Sequence, residues 1–148
     1  MSKSLLLPVM ALLALSGPAI ASDESCLRCH KRNGTMEGVH GQIGANGLSC
    51  VRCHGEQDGH PRNKAALVYF GQDSKTPLAE QNAQCTTCHR DAKLREADWT
   101  HDVHRPVLPC ASCHQLHPET DPMSTLDDAG RTQACVDCHS LLSEEGEQ

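Results

Sequence analysis

Ten cysteines and ten histidines stand in a chain of 148 residues, and their spacing is regular. Every cysteine falls in one of five CxxCH strings: Cys26-Leu27-Arg28-Cys29-His30, Cys50-Val51-Arg52-Cys53-His54, Cys85-Thr86-Thr87-Cys88-His89, Cys110-Ala111-Ser112-Cys113-His114 and Cys135-Val136-Asp137-Cys138-His139. Two thiols three positions apart lie on one side of a single helical turn, where they can add to the two vinyl groups of one porphyrin. The residue that follows then points its imidazole at the iron from one face. The pattern predicts five covalently bound haem c groups with their iron. Cys26, Cys29, Cys50, Cys53, Cys85, Cys88, Cys110, Cys113, Cys135 and Cys138 are the attachment thiols, and His30, His54, His89, His114 and His139 the first axial ligands.

Other uses of paired cysteines fit less well. Five disulfides would account for ten cysteines but not for a histidine behind every pair. Four-thiolate zinc sites consume CxxC units two at a time, and five is odd. A thioredoxin-like redox motif occurs once, on a strand–helix unit that this chain lacks. Histidine makes up 10 of 148 residues, so chance does not set one after all five pairs.

Five irons with one imidazole each lack a second axial ligand, and five histidines are spare: His40, His60, His101, His104 and His117. After the leader described below, methionine ligation is limited to Met36 and Met123. The matching count predicts bis-histidine iron at all five centres. The second imidazole must come from the opposite porphyrin face, so it cannot lie one helical turn from the first. His117, three residues after His114, is therefore expected at a different haem. His101 and His104 fall on one side of a short helix. They are expected to serve two neighbouring haems and to fix their separation. His40, in the glycine-rich loop Gly38-Val39-His40-Gly41, either folds back over its own haem or reaches a later one. His60, six residues after His54, is open in the same way.

The elements that must position these groups are short. First cysteines follow one another at intervals of 24, 35, 25 and 25 residues, a repeat with one insertion at roughly Asn63 to Thr76. Ala79 to Ala97 is the strongest candidate for a longer helix and Asp127 to Leu142 the next, its aspartates favoured near a helix start. Gly41 to Gly47, Gly71 to Pro77 and Leu116 to Pro122 read as loops, and no alternating pattern marks a sheet. Leu, Ile, Val and Phe make up only about 14% of the residues from Ser22 onward, too few to offset chain entropy by themselves. The expected fold is mainly α with much irregular coil, its core built by five stacked covalent haems, and the haem-free chain is expected to be unfolded. Arg28, Lys31, Arg32, Arg52, Arg62 and Arg90 lie near the motifs, where they can pair with haem propionates or stay solvated. Tyr69, Phe70 and Trp99 are expected to pack on porphyrin faces or edges.

The first 21 residues read as a secretory signal: Lys3, an apolar run from Leu5 to Leu15, Pro18, and Ala19-Ile20-Ala21 as a cleavage site. An 11-residue run is short of the roughly 18 that a membrane span needs. No cysteine follows the run directly, which argues against a lipid anchor. The expected organisation is a cleaved signal peptide over 1–21 and a pentahaem cytochrome c domain over 22–148, exported to the periplasm. A net charge of −6 argues against nucleic acid as a partner.

A bis-histidine iron has no open position, so it passes electrons and does not bind substrate. Five such centres in so few residues must lie nearly edge to edge, which makes a short wire whose partners dock weakly at its ends. An enzyme reading, a multihaem reductase, needs a haem with a vacant site; no CxxCK occurs, so an electron carrier without catalytic residues is expected. The five motifs with this spacing, together with Asp98-Trp99-Thr100-His101-Asp102-Val103-His104, Cys110-Ala111-Ser112-Cys113-His114-Gln115-Leu116-His117-Pro118, and Gly130-Arg131 ahead of Cys135-Val136-Asp137-Cys138-His139-Ser140, carry a family likeness. From Cys26 to Ser140 the chain resembles the NrfB-type periplasmic pentahaem cytochromes. The resemblance implies iron-ligand roles for His40, His60, His101, His104 and His117. It also implies redox partners: electrons arriving from a membrane quinol-oxidising complex and leaving to formate-dependent cytochrome c nitrite reductase in anaerobic respiration. The arrangement is similar, too, to half of the decahaem MtrA-like cytochromes that feed outer-membrane conduits.

Overall fold

Each CxxCH string closes the same local turn. In the first, third and fourth motifs the carbonyl of the leading cysteine accepts the amides of both the second cysteine and the histidine: Cys26 from Cys29 and His30 at 3.1 and 2.9 Å, Cys85 from Cys88 and His89 at 3.1 and 2.9 Å, Cys110 from Cys113 and His114 at 3.2 and 3.0 Å. A three- and four-residue hydrogen-bond step of this kind brings the two thiols to one side. The computed structural model describes residues 23–30, 36–43, 48–56, 59–63 and 67–145. The expected signal over 1–21 lies outside the described residues, as do Lys31 and Arg32.

In chain order the helices are α1 (Asp23–Leu27), α2 (Val39–Gln42), α3 (Cys50–His54), α4 (Leu78–Thr86), α5 (Asp91–Ala97), α6 (Thr100–His104) and α7 (Asp128–Glu145), with 3-10 turns at Cys110–Ser112 and Pro122–Thr125. The described residues contain no strand, and among them no helix is long and apolar enough to cross a membrane. Most of these helices are one or two turns long, and α7, which contains the fifth motif, is the longest at 18 residues. Gly55 ends α3 in a conformation only glycine adopts at low cost, with φ +80°, and its amide bonds the Val51 carbonyl at 2.9 Å.

Two local expectations are corrected. The single helix over Ala79 to Ala97 is two helices, α4 and α5. The third motif closes its turn at His89, and Arg90 is extended at φ −70° and ψ 140° before Asp91 restarts the helix. Gly41 and His40 lie in α2 rather than in a loop; residues 44–47 of that stretch are outside the described set. The C-terminal helix starts where its aspartates placed it. The Asp127 carboxylate accepts the Gly130 amide at 2.8 Å, an N-cap, and the helix runs three residues beyond Leu142.

Five described residues are buried: Val68, Thr76, Gln81, Asn82 and Pro109. Three of them are polar, so the interior between α4 and its neighbours is a hydrogen-bonded knot. Gln81 donates to the Thr76 carbonyl at 2.8 Å and accepts the Gly71 amide at 2.9 Å, while Thr76 accepts the Tyr69 amide at 2.9 Å. Asn82 donates to the carbonyls of Arg105 and Leu108, both at 3.0 Å, and accepts the Cys110 amide at 2.9 Å. One side chain thus ties the end of α6 and the fourth motif to α4, which carries the third. Buried polar groups are tolerated when satisfied, and these are.

Candidate haem-binding centres

The ten histidines come together in five pairs, each joining one motif imidazole to one of the spare five. Ring centres are 5.8 Å apart for His30 and His60, 5.9 Å for His40 and His89, and 6.3 Å for His54 and His117. They are 6.2 Å apart for His101 and His114 and 6.0 Å for His104 and His139. An iron midway between two imidazoles, with metal–nitrogen bonds of about 2 Å and about 1.1 Å from each nitrogen to its ring centre, sets the ring centres roughly 6 Å apart. The residues fit a haem iron on that measure. Each pair supplies two nitrogens, the number left open once a porphyrin fills the equatorial plane.

The pairing resolves what spacing left open. His117 faces His54, 63 residues away in sequence, and not its neighbour His114. His101 and His104, one helical turn apart on α6, face two different motifs, the fourth and the fifth. His40 reaches forward to the third motif, and His60 reaches back to the first.

Several of these rings are oriented through their second nitrogen, which leaves Nε2 free. His101 Nδ1 lies 2.9 Å from the Asp98 carbonyl, His104 Nδ1 3.0 Å from that of Thr100, and His54 Nδ1 2.9 Å from that of Val68. Such contacts fix tautomer and ring plane in metal-bound imidazoles. His114 differs in that its Nδ1 meets the Asp121 carboxylate. Burial works to raise the Asp121 pKa, but the hydrogen bonds from His114 and from the Gln115 and Met123 amides outweigh it and hold the carboxyl below its ordinary range. Burial, and next the nearby His89, push the His40 imidazole below its ordinary value against the pull of Asp121. A neutral ring is the form that binds metal.

The attachment thiols of successive motifs also approach one another. Cys85 and Cys110 share a side-chain hydrogen bond that raises the first and lowers the second to about 6. Burial pushes the Cys53 thiol up, against Arg52, and Cys88 of the third motif adds to the rise. Cys113 is raised by burial and then by Cys138 of the fifth motif.

Phe70 packs its edge on the His54 ring at 5.3 Å and 81°, which gives the 63–76 insertion a role: Val68 and Phe70 brace the second motif's imidazole. Tyr69 and Trp99 are exposed, as are Arg28, Arg52, Arg62 and Arg90. Among the described residues, ion pairs join Arg95 to Asp102 at 2.6 Å, Arg105 to Asp91 at 3.3 Å and Arg131 to Asp98 at 3.6 Å. Asn82 and Asp121 went unnoticed in the sequence. Asn82 sits inside a helix, where asparagine is a poor former, and that misfit was its one local signal.

Residues 50–138 match the family described as cytochrome c-type protein NrfB-like. The chain is 42% identical over 125 residues to the cytochrome c-type protein NrfB of Escherichia coli O6:H1 (strain CFT073), covering 80% of this chain and 65% of the relative. It is 38% identical over 145 residues to the NrfB of Haemophilus influenzae, covering 79% and 64%. Against the multiheme cytochrome MtrA of Shewanella baltica (strain OS185) it is 34% identical over 127 residues, 79% of this chain but 37% of that one. The chain thus spans a little under two thirds of the two NrfB proteins. It belongs to the NrfB-like family of c-type cytochromes, a multihaem electron-transfer family whose haem is held covalently.

Proposed function

We propose that this member of the NrfB-like family is a periplasmic five-haem wire, exported by cleavage after Ala21, that carries electrons from a membrane quinol-oxidising complex to a pentahaem nitrite reductase. The single observation that supports the five centres best is the one-to-one pairing of motif and spare imidazoles at a separation suited to an iron between them. Haem c, when bound, supplies a one-electron iron couple. The chain's part is to hold each group by Cys26 and Cys29, Cys50 and Cys53, Cys85 and Cys88, Cys110 and Cys113, and Cys135 and Cys138. Its ten imidazoles would hold the irons in pairs, which would leave electron exchange rather than ligand exchange as the chemistry. Shared elements set the distances between centres. α6 presents His101 and His104 to two adjacent motifs, and Asn82 ties the third motif's helix to the fourth motif. The partners come from the family likeness and not from the geometry.

Replacing His104 by Met tests the ligand assignment. Intact mass should still show five added haems, while one of five reduction potentials rises because a thioether favours ferrous iron. Unchanged potentials and spectra would remove His104 from the ligand set. The partner is tested by mixing reduced protein with a pentahaem nitrite reductase and nitrite and following reoxidation of the haem bands. The likeness to MtrA favours a second reading, a carrier toward an outer-membrane conduit; rapid reoxidation by a decahaem partner and none by the reductase would select it. A high-spin ferric EPR signal, or carbon monoxide binding on reduction, would instead favour an enzyme.

A further inference from the structure

Four of the imidazoles have a defined partner at Nδ1, and three of those partners are backbone carbonyls: Val68 for His54, Asp98 for His101 and Thr100 for His104. The fourth is a carboxylate. Asp121 Oδ2 meets His114 Nδ1, and the carboxylate cannot swing away easily. Its other oxygen, Oδ1, accepts the amides of Gln115 at 3.0 Å and Met123 at 3.2 Å, which fixes the side chain across the 115–123 turn. Asp121 is only partly exposed, so its charge is weakly screened.

A charged acceptor at Nδ1 draws the ring proton toward itself and makes the imidazole a stronger donor at Nε2. A stronger donor stabilises ferric over ferrous iron. We propose that Asp121 is a redox-tuning, positioning residue: through His114 it lowers the potential of the haem held by Cys110 and Cys113. The proposal rests on the ligand roles of His114 and His101 given above. Among the four imidazoles with a defined Nδ1 partner, it sets this centre apart by a single carboxylate.

Ring geometry separates that centre spectroscopically from the most rotated pairs. The planes of His101 and His114 are 3° apart, whereas the other four pairs are rotated by 30°, 50°, 67° and 65°. Nearly parallel axial imidazoles give a rhombic low-spin ferric EPR signal, and pairs rotated as far as 65° and 67° one of large g value, so the fourth-motif haem belongs among the rhombic lines.

Asp121→Asn in the fully haem-loaded protein is the test, read by potentiometry with EPR. Asparagine keeps an oxygen for the Gln115 and Met123 amides and removes the charge at His114. The expected result is five haems by mass, all low-spin, with a rhombic line reduced more easily and at most a smaller rise at the centre of His40 and His89, whose imidazole the same charge pulls on without a hydrogen bond. The shift expected is about tenfold in that one-electron equilibrium, or about 59 mV upward. Asp121→Glu, which keeps a carboxylate, should leave the couple nearer its original value, and serves if the asparagine variant does not mature. Five unchanged potentials in Asp121→Asn overturn the tuning role; so does appearance of high-spin iron, which would make Asp121 a support for ligation only. His101→Met separates the two levels. If it raises the rhombic couple while Asp121→Asn moves nothing, the ligand assignment stands and the tuning falls. If it too leaves every potential unchanged, the ligand assignment fails and the tuning fails with it.

Discussion

Between Val68 and Cys110 the polypeptide fixes its own backbone, whereas α7 is held almost wholly from outside. The first region contains all five buried residues among those described and the bonds of Thr76, Gln81 and Asn82. Asn82 alone joins three backbone groups spread over residues 105–110. In α7, every described side chain from Asp128 to Leu142 is exposed apart from Gly130 and Ala134, and Val136, Leu141 and Leu142 are each more than half exposed. Its ties to the rest include the Asp127 cap, the Arg131–Asp98 ion pair at 3.6 Å and the facing rings of His139 and His104. Three motifs in one protein are thus positioned by two kinds of physics. The third and fourth are set by buried amide hydrogen bonds, and the fifth by a helix whose apolar face the polypeptide does not cover.

Withholding haem breaks this comparison most severely. Chain made without cytochrome c maturation should lose its cooperative melt and become protease-sensitive, with cuts in α7 ahead of cuts between Val68 and Cys110. A cooperatively folded, protease-resistant apo-protein would mean that the polypeptide has a sufficient core after all. Asn82→Ala in the loaded protein comes next. It strands the Arg105 and Leu108 carbonyls and the Cys110 amide, and should cost about 2–4 kcal/mol in denaturant unfolding. No loss would show that the knot only decorates a framework the haems already fix. Arg131→Ala should be the mildest, within about 0.5 kcal/mol, since the pair is solvent-exposed and long. A larger loss would show that α7 depends on this contact more than its exposure implies.

Some of the molecule was legible in the residues alone. A CxxCH string specifies a turn through bonds three and four residues apart, and such a turn is local wherever it occurs, so the number and place of the motifs followed from spacing. The start of α7 was legible for the same reason, since an aspartate caps a helix within three residues. Even local reading failed at His89, where helical periodicity continued through a motif whose turn then ends the helix.

Which imidazole faces which could not be read. His54 and His117 meet across 63 residues and His40 and His89 across 49, and no local hydrogen bond links such positions. Their meeting depends on where the chain is turned back, by Asn82 between α4 and the fourth motif, by Val68 against His54, and by the close pass of Gly38 beside the Glu119 carbonyl, where an added Cβ would sit at 2.7 Å. Composition and spacing therefore determined how many CxxCH motifs and how many further histidines the chain carries, the ligands proposed for its haems. Only the tertiary structure decided how those ligands pair, because pairing is set by buried polar contacts between segments far apart in the chain, and a polar residue does not announce in sequence which distant backbone it will bind.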